Sequence, residues 1–530
     1  MICMVLSDFR KKYVSFNNSR FIYPIFFAIA SLCLLLMSRN SFLYPMNDSQ
    51  DVNCFVTAGN LILSGKVPYK DFFEQKGPIV YLVHAFVLWL HPRSYHGLYL
   101  LEILCAGFYY IYNYKLLHLF FRENTKKELF FINVISSSAV YFSVSLYNGG
   151  EVEEYLLPLF SYLLYHTVKL IMDNGQIDVR TCIFVGMHVG IVAWSKYFDL
   201  FLYGICFVFL LFQCIKNKYY EALKRMFLFC SAGFFIITIP VVIYLCWNGA
   251  FFDMVNIYLF ANAGEYGDTG LSWFVSCISA IGILATNVIA DVSLIDILFI
   301  FIGCFILFEI NTIKSDYKSV IKFIANSSAI MFIGILLISM KPWNYYYIPI
   351  FCLFPFLCSI FYNFVKNRTI CVVMFTLSML LSFILSFLFI CVLSHPFITM
   401  QSKQEIAKII GSSDDNSVIT INRMDDGYYM CTGYLPDEYY FTLTNNRTEL
   451  ISDTYDDLLS DHRVNYVVMY GYDPELKPCR DVYSSLVDGV LADTKLLSQS
   501  VMNCGYEEVF RSWVYDTNGI NCVIAYKLSD

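Results

Sequence analysis

Carboxylates stand beside apolar segments at two places in this chain, and such groups can act as general bases. Asp51 opens a polar stretch after the first apolar segment, and Glu153 and Glu154 lie in the sequence YNGGEVEEYLLPL at the start of another. A carboxylate beside a membrane segment carries a desolvation cost, which usually indicates a function. It could take the proton from a hydroxyl that attacks a substrate. Glu154 is the preferred member of the pair, and Glu151 is a weaker candidate.

Three lysines beside apolar or aromatic segments could hold an anionic group, since positive charge stabilises a departing phosphate. Lys76 lies in the sequence FEQKGP, Lys196 interrupts the apolar sequence VAWSKYFDLFLYG, and Lys341 precedes a group of tyrosines. A lysine inside a membrane segment needs a partner, and a lipid phosphate is one such partner. The lysines therefore predict a site for the phosphate of a membrane lipid.

Each of these residues also has a structural interpretation, and the sequence leaves both open. Asp51 could cap the N-terminus of a helix that starts at Val52, and the glutamates could be stabilised by the dipole of the helix that follows them. Lys196 could pair with Asp199 or extend its charge to the membrane surface. The tyrosines after Lys341 are typical of an aromatic belt at the edge of a membrane.

The polar stretch that positions the first acid runs from Asp51 to Pro78. Apolar residues repeat at helical spacing in its first part: Phe55, Ala58, Leu61 and Ile62. This spacing predicts an amphipathic helix that lies along the membrane surface and ends at Gly65.

The sequence GKVPYKDFFEQKGP, together with Asp51, Phe55 and Gly59, resembles the first external loop of GT-C glycosyltransferases. These polytopic enzymes use polyprenyl-phosphate-linked sugars, and they include protein O-mannosyltransferases and the lipid A aminoarabinose transferase. The similarity is closest to bacterial members with a YxDxFxxKGP element. The resemblance implies that Asp51 is the catalytic base and that Lys76 lies near the lipid phosphate.

The resemblance extends to the other acids and to the question of a metal ion. Glu153 and Glu154 correspond to a second acidic position of the family, and Lys341 to a position that is often basic. Some GT-C relatives bind a divalent ion, so one could bind at Asp51 and Glu154; no other cofactor is implied. The family mechanism is a single displacement that inverts the anomeric carbon.

The composition requires a membrane. The chain is 58% hydrophobic, and its mean hydropathy of +0.56 is higher than a soluble protein of this size needs. The apolar segments predict an α-helical polytopic membrane protein of the GT-C fold with about eleven transmembrane helices. Residues 1–395 form this membrane domain, and residues 396–530 form a small soluble α/β domain.

The placement of lysine and arginine predicts the orientation of the chain. Basic residues precede the first apolar segment, Phe21–Ser38, and place the N-terminus in the cytoplasm. Alternation of the later segments then places Asp51, the glutamate pair, Lys341 and the C-terminal domain outside. We therefore expect a site on the outer face of the cytoplasmic membrane.

The C-terminal domain carries 21 acidic and 10 basic residues, and this negative charge argues against a nucleic-acid partner. The sequence SKQEIAKII predicts a helix, and SVITI and VNYVVMY predict strands. The sequence VFRSWVYDTNGINCVIAYKL predicts a hairpin around Asn-Gly. Four cysteines could form disulfides whose pairing the sequence does not define: Cys431, Cys479, Cys504 and Cys522.

These expectations describe an enzyme that moves a sugar from a polyprenyl-phosphate carrier to a hydroxyl of a cell-envelope glycan, a lipid or a protein. The alternative is a transporter or flippase of a lipid-linked or anionic substrate. A transporter typically has paired repeats and charges near the centre of the membrane, whereas the charges here gather in external loops.

Overall fold

The structure is a computed structural model. It describes residues 19–121, 124–264, 273–290, 323, 326–327, 330–331, 334, 343–364, 368–388, 396–411, 416–444, 448–476, 484–514 and 522–529. Lys341 and Cys479 lie outside the described residues. So do Ile295–Glu309 and most of Phe323–Met340, two segments whose apolar sequence predicts that they span the membrane.

Helices dominate the part of the chain that precedes residue 396. They are α1 (Ser19–Met37), α2 (Gln50–Leu63), α3 (Pro78–Leu90), α4 (His96–Phe120), α5 (Lys126–Tyr141), α6 (Val152–Met172), α7 (Val179–Ala193), α8 (Leu200–Lys216), α9 (Tyr220–Trp247), α10 (Phe251–Met254), α11 (Asn262–Gly264), α12 (Trp273–Ala290), α13 (Phe354–Phe364) and α14 (Arg368–Leu388). A π-helical turn, Val255–Ala261, joins α10 to α11, and the 3-10 helix Asn344–Leu353 leads into α13.

The helical part is built for a membrane. Among the described residues, three helical segments are long and apolar enough to cross one: Val152–Met172, Tyr197–Lys216 and Tyr220–Trp247. The outer side of α9 exposes large apolar side chains, including Phe227, Ile243 and Trp247. Apolar surface of this extent is stable when lipid covers it. The predicted helical membrane class is thus confirmed, while the number of about eleven helices stays a prediction.

The apolar sequence that Lys196 interrupts forms two helices, α7 and α8, joined by a turn. The 3-10 helix Tyr197–Asp199 interrupts the two helices, and Lys196 lies in the turn before it. Gly77 caps α3 and Pro78 is its first residue, a position that suits proline because its missing N–H would have no helical partner. The N–H groups of Gly77 and Ile79 donate to the carbonyls of Ser195 and Trp194, which joins the two turns.

The helix α2 is mostly buried. The helix starts at Gln50 and ends before Gly65, and Val52–Gly59 is buried on all sides, so this range has no solvent-exposed face. Its placement along the membrane surface stays a prediction. The polar residues that suggested a solvent face, such as Asn53 and Thr57, instead contact the C-terminal domain: Thr57 Oγ1 donates to Asp425 Oδ2 over 2.5 Å. The sequence pattern cannot distinguish solvent from a polar partner.

The C-terminal part contains a mixed sheet. Its strands are β1 (Val418–Thr420), β2 (Tyr466–Gly471), β3 (Tyr506–Trp513) and β4 (Cys522–Leu528), in the order β1-β2-β4-β3. The strands β1 and β2 are parallel, and the other neighbours are antiparallel. The helices are α15 (Pro396–Ile410), α16 (Tyr428–Thr432), α17 (Thr448–Ser460) and α18 (Ser484–Asn503).

The strand and hairpin predictions are confirmed in outline. The pair β3–β4 is antiparallel, with a register described from Tyr506–Leu528 to Trp513–Cys522, and the predicted Asn-Gly turn lies outside the described residues. The thiols of Cys431, Cys504 and Cys522 are free in the structure. Disulfide bonds among these three are therefore not formed.

The junction between the two turns generates a test of the fold. A Cβ on Gly77 would overlap the backbone carbonyl of Trp194, whose position is held by the hydrogen bond from Ile79. We expect Gly77→Ala to lower the free energy of unfolding by about 3 kcal/mol, the upper part of the usual range for overpacking. Thermal unfolding of the purified protein in detergent measures it.

The matched control is Gly204→Ala in α8, where an added Cβ meets no atom within 4 Å. This change should leave the melting temperature unchanged or raise it slightly, because alanine favours a helix over glycine by about 1 kcal/mol. Equal melting temperatures for the two variants would contradict the described packing.

Candidate active site

Asp51 lies in the first turn of α2, two residues after the N-cap Ser49. It is therefore not the helix cap that the sequence allowed. Its side chain is partly exposed, whereas its neighbours Val52 and Asn53 are fully buried. A carboxylate in the first helical turn is stabilised by the helix dipole. The structure thus holds Asp51 at the rim of the bundle.

A pair of glycines positions the second group of acids. Gly149 and Gly150 have φ angles of +67° and +84°, and a Cβ on either would collide with polar side chains beneath the turn. Only glycine adopts such angles without strain. The turn brings Glu151 to the N-cap of α6, with Glu153 and Glu154 in the first helical turn.

Glu151 is the acid of this group that faces Asp51. Ser49 Oγ, just before α2, donates to Glu151 Oε1 over 3.3 Å, and the glutamate is only 3% exposed. Burial, followed by the negative charges of Asp51 and Glu153, raises the pKa of Glu151 to about 8, although Lys76 and Lys196 oppose the shift. We therefore expect Glu151 to hold a proton at neutral pH. The sequence pattern favours Glu154 over Glu151, because it does not show in which direction each side chain points.

Glu153 forms a buried ion pair with Lys196. The carboxylate is 1% exposed and the lysine side chain 12% exposed. The ammonium of Lys196 also lies over the ring of Tyr346, 3.9 Å from its centroid, and 5.3 Å from that of Tyr345. The partners of Lys196 are thus Glu153 and the rings of Tyr345 and Tyr346. The sequence alone favours an aromatic belt at the membrane edge for these tyrosines.

Asp199 completes the acidic side of the site. It is buried at the start of α8, and the charges that act on it are those of Lys196, Glu153 and Lys76. Within the described residues, its Oδ2 atom has no hydrogen-bond partner. Asp199 therefore lies among the charged residues of the site. From the sequence, we expect it only as a partner of Lys196.

Lys76 lies in the loop before α3, and its charge acts on Glu151 and Asp199 together with that of Lys196. Its ammonium is 5.9 Å from the ring centroid of Phe55 on α2, and its backbone N–H donates to Glu74 Oε2 over 3.0 Å. Tyr69 and Tyr81 donate their hydroxyls to the Lys76 carbonyl. Burial raises the pKa of Glu74, and the charge of Lys76 opposes that rise. The loop before α3 thereby holds Lys76 rigidly.

Glu154 points away from the other acids. It accepts a hydrogen bond from the Gly150 N–H over 2.9 Å and lies near Glu102 of α4, which in turn accepts from Asn40 over 2.5 Å. Both glutamates are fully buried. The structure thus places the charges of Asp51, Glu153, Lys76 and Lys196 around Glu151, and it places Glu154 on the side of the turn that faces Glu102. Lys341 lies outside the described residues.

A metal ion does not fit the described side chains. In the described part of the chain, no group of three or more His, Cys, Asp or Glu residues has the arrangement that an ion requires. Glu154 faces Gly150 rather than Asp51, so the two acids do not form a common ligand set. Transfer to a hydroxyl by these residues needs no metal ion in any step.

The arrangement can carry out group transfer to a hydroxyl. A carboxylate at the rim can take a proton, and two lysines beside it can stabilise an anionic leaving group. The buried carboxylate of Glu153 pairs with Lys196 and orients it. These groups lie on loops and helix ends: Asp51 at the start of α2, Lys76 before α3, Glu153 at the start of α6 and Lys196 between α7 and α8.

The fold resembles that of ArnT from Cupriavidus metallidurans. The structure of ArnT bound to undecaprenyl phosphate has a TM-score of 0.58 and 9% identity, over 97% of this chain and 98% of that chain. The apo structure has a TM-score of 0.60 and 10% identity, over 96% and 97%. No protein-family model and no curated protein sequence matches this chain. At such low identity, the likeness shows a shared fold.

The raised pKa of Glu151 predicts a pH dependence of stability. A carboxyl whose pKa rises on folding from 4.5 to about 8 binds more protons in the folded state between these values. The free energy of unfolding therefore falls as the pH rises from 5 to 8, by about a few kcal/mol at most. We expect Glu151→Gln to flatten this fall, as measured by melting temperatures across the range.

The matched control is Glu221→Gln, because Glu221 is an exposed residue that pairs with Arg225 on the surface of α9. This variant should keep the pH slope of the unchanged protein. A Glu151→Gln variant with that same slope would show that the carboxyl is ionised in the folded state.

Proposed function

We propose that this chain is an inverting GT-C glycosyltransferase that moves a sugar from a polyprenyl-phosphate carrier to a hydroxyl acceptor. The observation that carries the proposal is that the start of α6 bonds to Ser49, two residues before Asp51, and pairs with Lys196, while the charge of Lys76 acts on the same glutamate as that of Asp51. ArnT, which has the same fold, is a GT-C glycosyltransferase, and one of its structures holds undecaprenyl phosphate. The acceptor would be a cell-envelope glycan, a lipid or a protein.

Asp51 acts as the base in this mechanism. The acceptor hydroxyl attacks the anomeric carbon of the donor, and Asp51 takes its proton as the new carbon–oxygen bond forms. The bond between that carbon and the phosphate oxygen breaks, and the electron pair stays on the phosphate. Because the hydroxyl attacks from the face opposite the leaving group, the anomeric configuration inverts.

Lys76 and Lys196 stabilise the departing phosphate. A lipid-linked phosphodiester gains a negative charge when it leaves as a phosphate monoester, so positive groups fixed beside it lower the barrier. Glu153 and the ring of Tyr346 hold Lys196 in place before the donor arrives. The proton on Glu151 reduces the negative charge that the phosphate would otherwise meet.

The remaining expectations belong to the same proposal. Lys341 would add a further contact to the donor phosphate, and Glu154 would act indirectly by holding the Gly150 turn. A divalent ion at Asp51 and Glu154 is not part of the mechanism, because their side chains do not converge. The site would face the outside of the cytoplasmic membrane, with the C-terminal domain on the same side.

The alternative of a transporter or flippase has less support. The charged residues of the site gather at helix ends, as in Glu151 at the start of α6 and Lys196 between α7 and α8. A transporter site more typically lies near the membrane centre between repeats. Uptake of a soluble solute by proteoliposomes, without any lipid-linked product, would favour the transporter.

The base assignment predicts that Asp51→Asn lowers the rate of transfer about 100- to 10,000-fold, the range typical of a lost general base. The measurement is transfer of radiolabelled sugar from polyprenyl-phosphate donors by the purified protein. Donor binding should persist, because the amide leaves both lysines in place. Asp253→Asn, at an exposed position of α10, is the control, and full activity of Asp51→Asn would refute the mechanism.

The phosphate contact predicts that Lys196→Ala weakens donor binding more than acceptor binding, by about tenfold or more for a charged hydrogen bond. Loss of the lysine also leaves Glu153 buried without a countercharge, which is destabilising. The double variant Lys196→Ala/Glu153→Gln removes that charge and should still bind the donor weakly. Lys70→Ala, at an exposed lysine in the loop between α2 and α3, should bind normally.

A further inference from the structure

A cavity lies where the C-terminal domain rests on α2. It has a volume of about 300 Å³ and is open to solvent on one side. Its walls are the end of α2, the loop that holds Arg93, and the segment that contains α16. We call this cavity the seam pocket, because neither the membrane domain nor the C-terminal domain forms it alone.

Specific contacts along one face of α2 fix the walls of the seam pocket. Thr57 donates to Asp425, Asn60 Nδ2 lies 3.9 Å from the sulfur of Met430, and Lys66 pairs with Asp437 over 2.7 Å. Thr57 and Asn60 lie three residues apart on the side of α2 that faces away from Phe55, and Lys66 follows the end of the helix. The pocket is therefore part of a defined interface and not a gap between loose domains.

Arg93 supplies the charge of the seam pocket. Among the described residues that line it, Arg93 is the one charged side chain. The residue is exposed, and its backbone has a φ of +52°, which is unusual for a residue other than glycine. Its guanidinium packs against Gly433, where a Cβ would lie 3.1 Å from Nη2.

The other walls suit a sugar ring. Tyr429 and Met430 present apolar surface, while Asn60 and Ser64 contribute polar atoms. A guanidinium binds carboxylate or phosphate through two parallel hydrogen bonds. A volume of about 300 Å³ lies at the small end of the range for ligand sites. It matches one sugar residue rather than a long chain.

We propose that the seam pocket binds an anionic sugar residue of the acceptor, with Arg93 contacting its carboxylate or phosphate. The inference rests on the proposed transfer to a glycan acceptor. Asn60 lies nine residues after Asp51 on α2, which is about 13 Å along the helix axis. The pocket therefore holds a part of the acceptor that is distant from the reacting hydroxyl.

Binding at a distance has a catalytic consequence. Binding energy from a remote part of a substrate can hold the reacting hydroxyl in position. A charged contact in the seam pocket would favour an acidic glycan over a neutral one of the same length. The C-terminal domain would then help to bind the acceptor, because it contributes Tyr429, Met430 and Gly433 to the pocket.

The test measures binding of two tetrasaccharides to the full-length protein in detergent, by saturation-transfer difference NMR. Tetragalacturonate carries carboxylates, and maltotetraose is neutral. We expect tetragalacturonate to bind more tightly, and Arg93→Ala to weaken its binding about tenfold. Arg93→Lys keeps the positive charge but loses the planar guanidinium that forms two parallel hydrogen bonds. Its affinity for tetragalacturonate should therefore lie between those of the unchanged protein and Arg93→Ala.

Three outcomes would overturn the proposal: equal binding of both tetrasaccharides, binding of neither, or binding that Arg93→Ala leaves unchanged. Nanodiscs of phosphatidylglycerol test the alternative of a lipid headgroup. If Arg93→Ala weakens binding to these nanodiscs and not to tetragalacturonate, the pocket is a lipid site and the proposal fails.

A separate variant distinguishes this proposal from the proposed function. Asp51→Asn should bind tetragalacturonate like the unchanged protein, because Asp51 lies outside the pocket. If no polyprenyl-phosphate sugar serves as donor while tetragalacturonate still binds through Arg93, the transferase assignment fails and the anionic-sugar site stands. If the protein transfers sugar from a polyprenyl-phosphate donor but its binding of tetragalacturonate does not depend on Arg93, the transferase assignment stands and the anionic-sugar site fails.

Discussion

The buried ion pair between Glu153 and Lys196 connects the two elements on which the site depends. Glu153 lies in the first turn of α6, and Lys196 lies in the turn between α7 and α8. Two charges removed from water are stable only when they compensate each other closely. The pair therefore keeps the start of α6 beside this turn, and through Gly77 it also keeps the loop of Lys76 nearby.

The helix α2 joins this charged centre to the C-terminal domain. Residues four apart on a helix share a face, and α2 uses two faces for different purposes. Asp51 and Phe55 face the site, whereas Asn53 and Thr57 face the C-terminal domain, where Thr57 donates to Asp425. Burial raises the pKa of Asp425 to about 6. The hydrogen bond between Thr57 and Asp425 thus holds α2, the helix that carries the proposed base, against the C-terminal domain.

Much of the local structure follows from short-range rules. The Gly77-Pro78 pair starts a helix, glycines form the turn before Glu151, and alternating β-prone residues form the strands of the C-terminal sheet. The sequence pattern did not show that polar residues of α2 contact the C-terminal part of the chain rather than water, as Thr57 does with Asp425. The preference for Glu154 over Glu151 shows the same limit: both follow one glycine turn, but their side chains point in different directions.

The sequence by itself determined the helical membrane class, the polar loop with Asp51 and Lys76, and the candidate groups Glu153 and Lys196. These follow from hydropathy, helix-end chemistry and the charges of individual residues, which are local properties. Only the tertiary structure decided that Lys196 pairs with Glu153, that Glu151 faces Asp51, and that Glu154 lies on the side of the turn that faces Glu102. Such pairings join residues far apart in the chain, and they depend on the packing of helices, which local patterns do not encode.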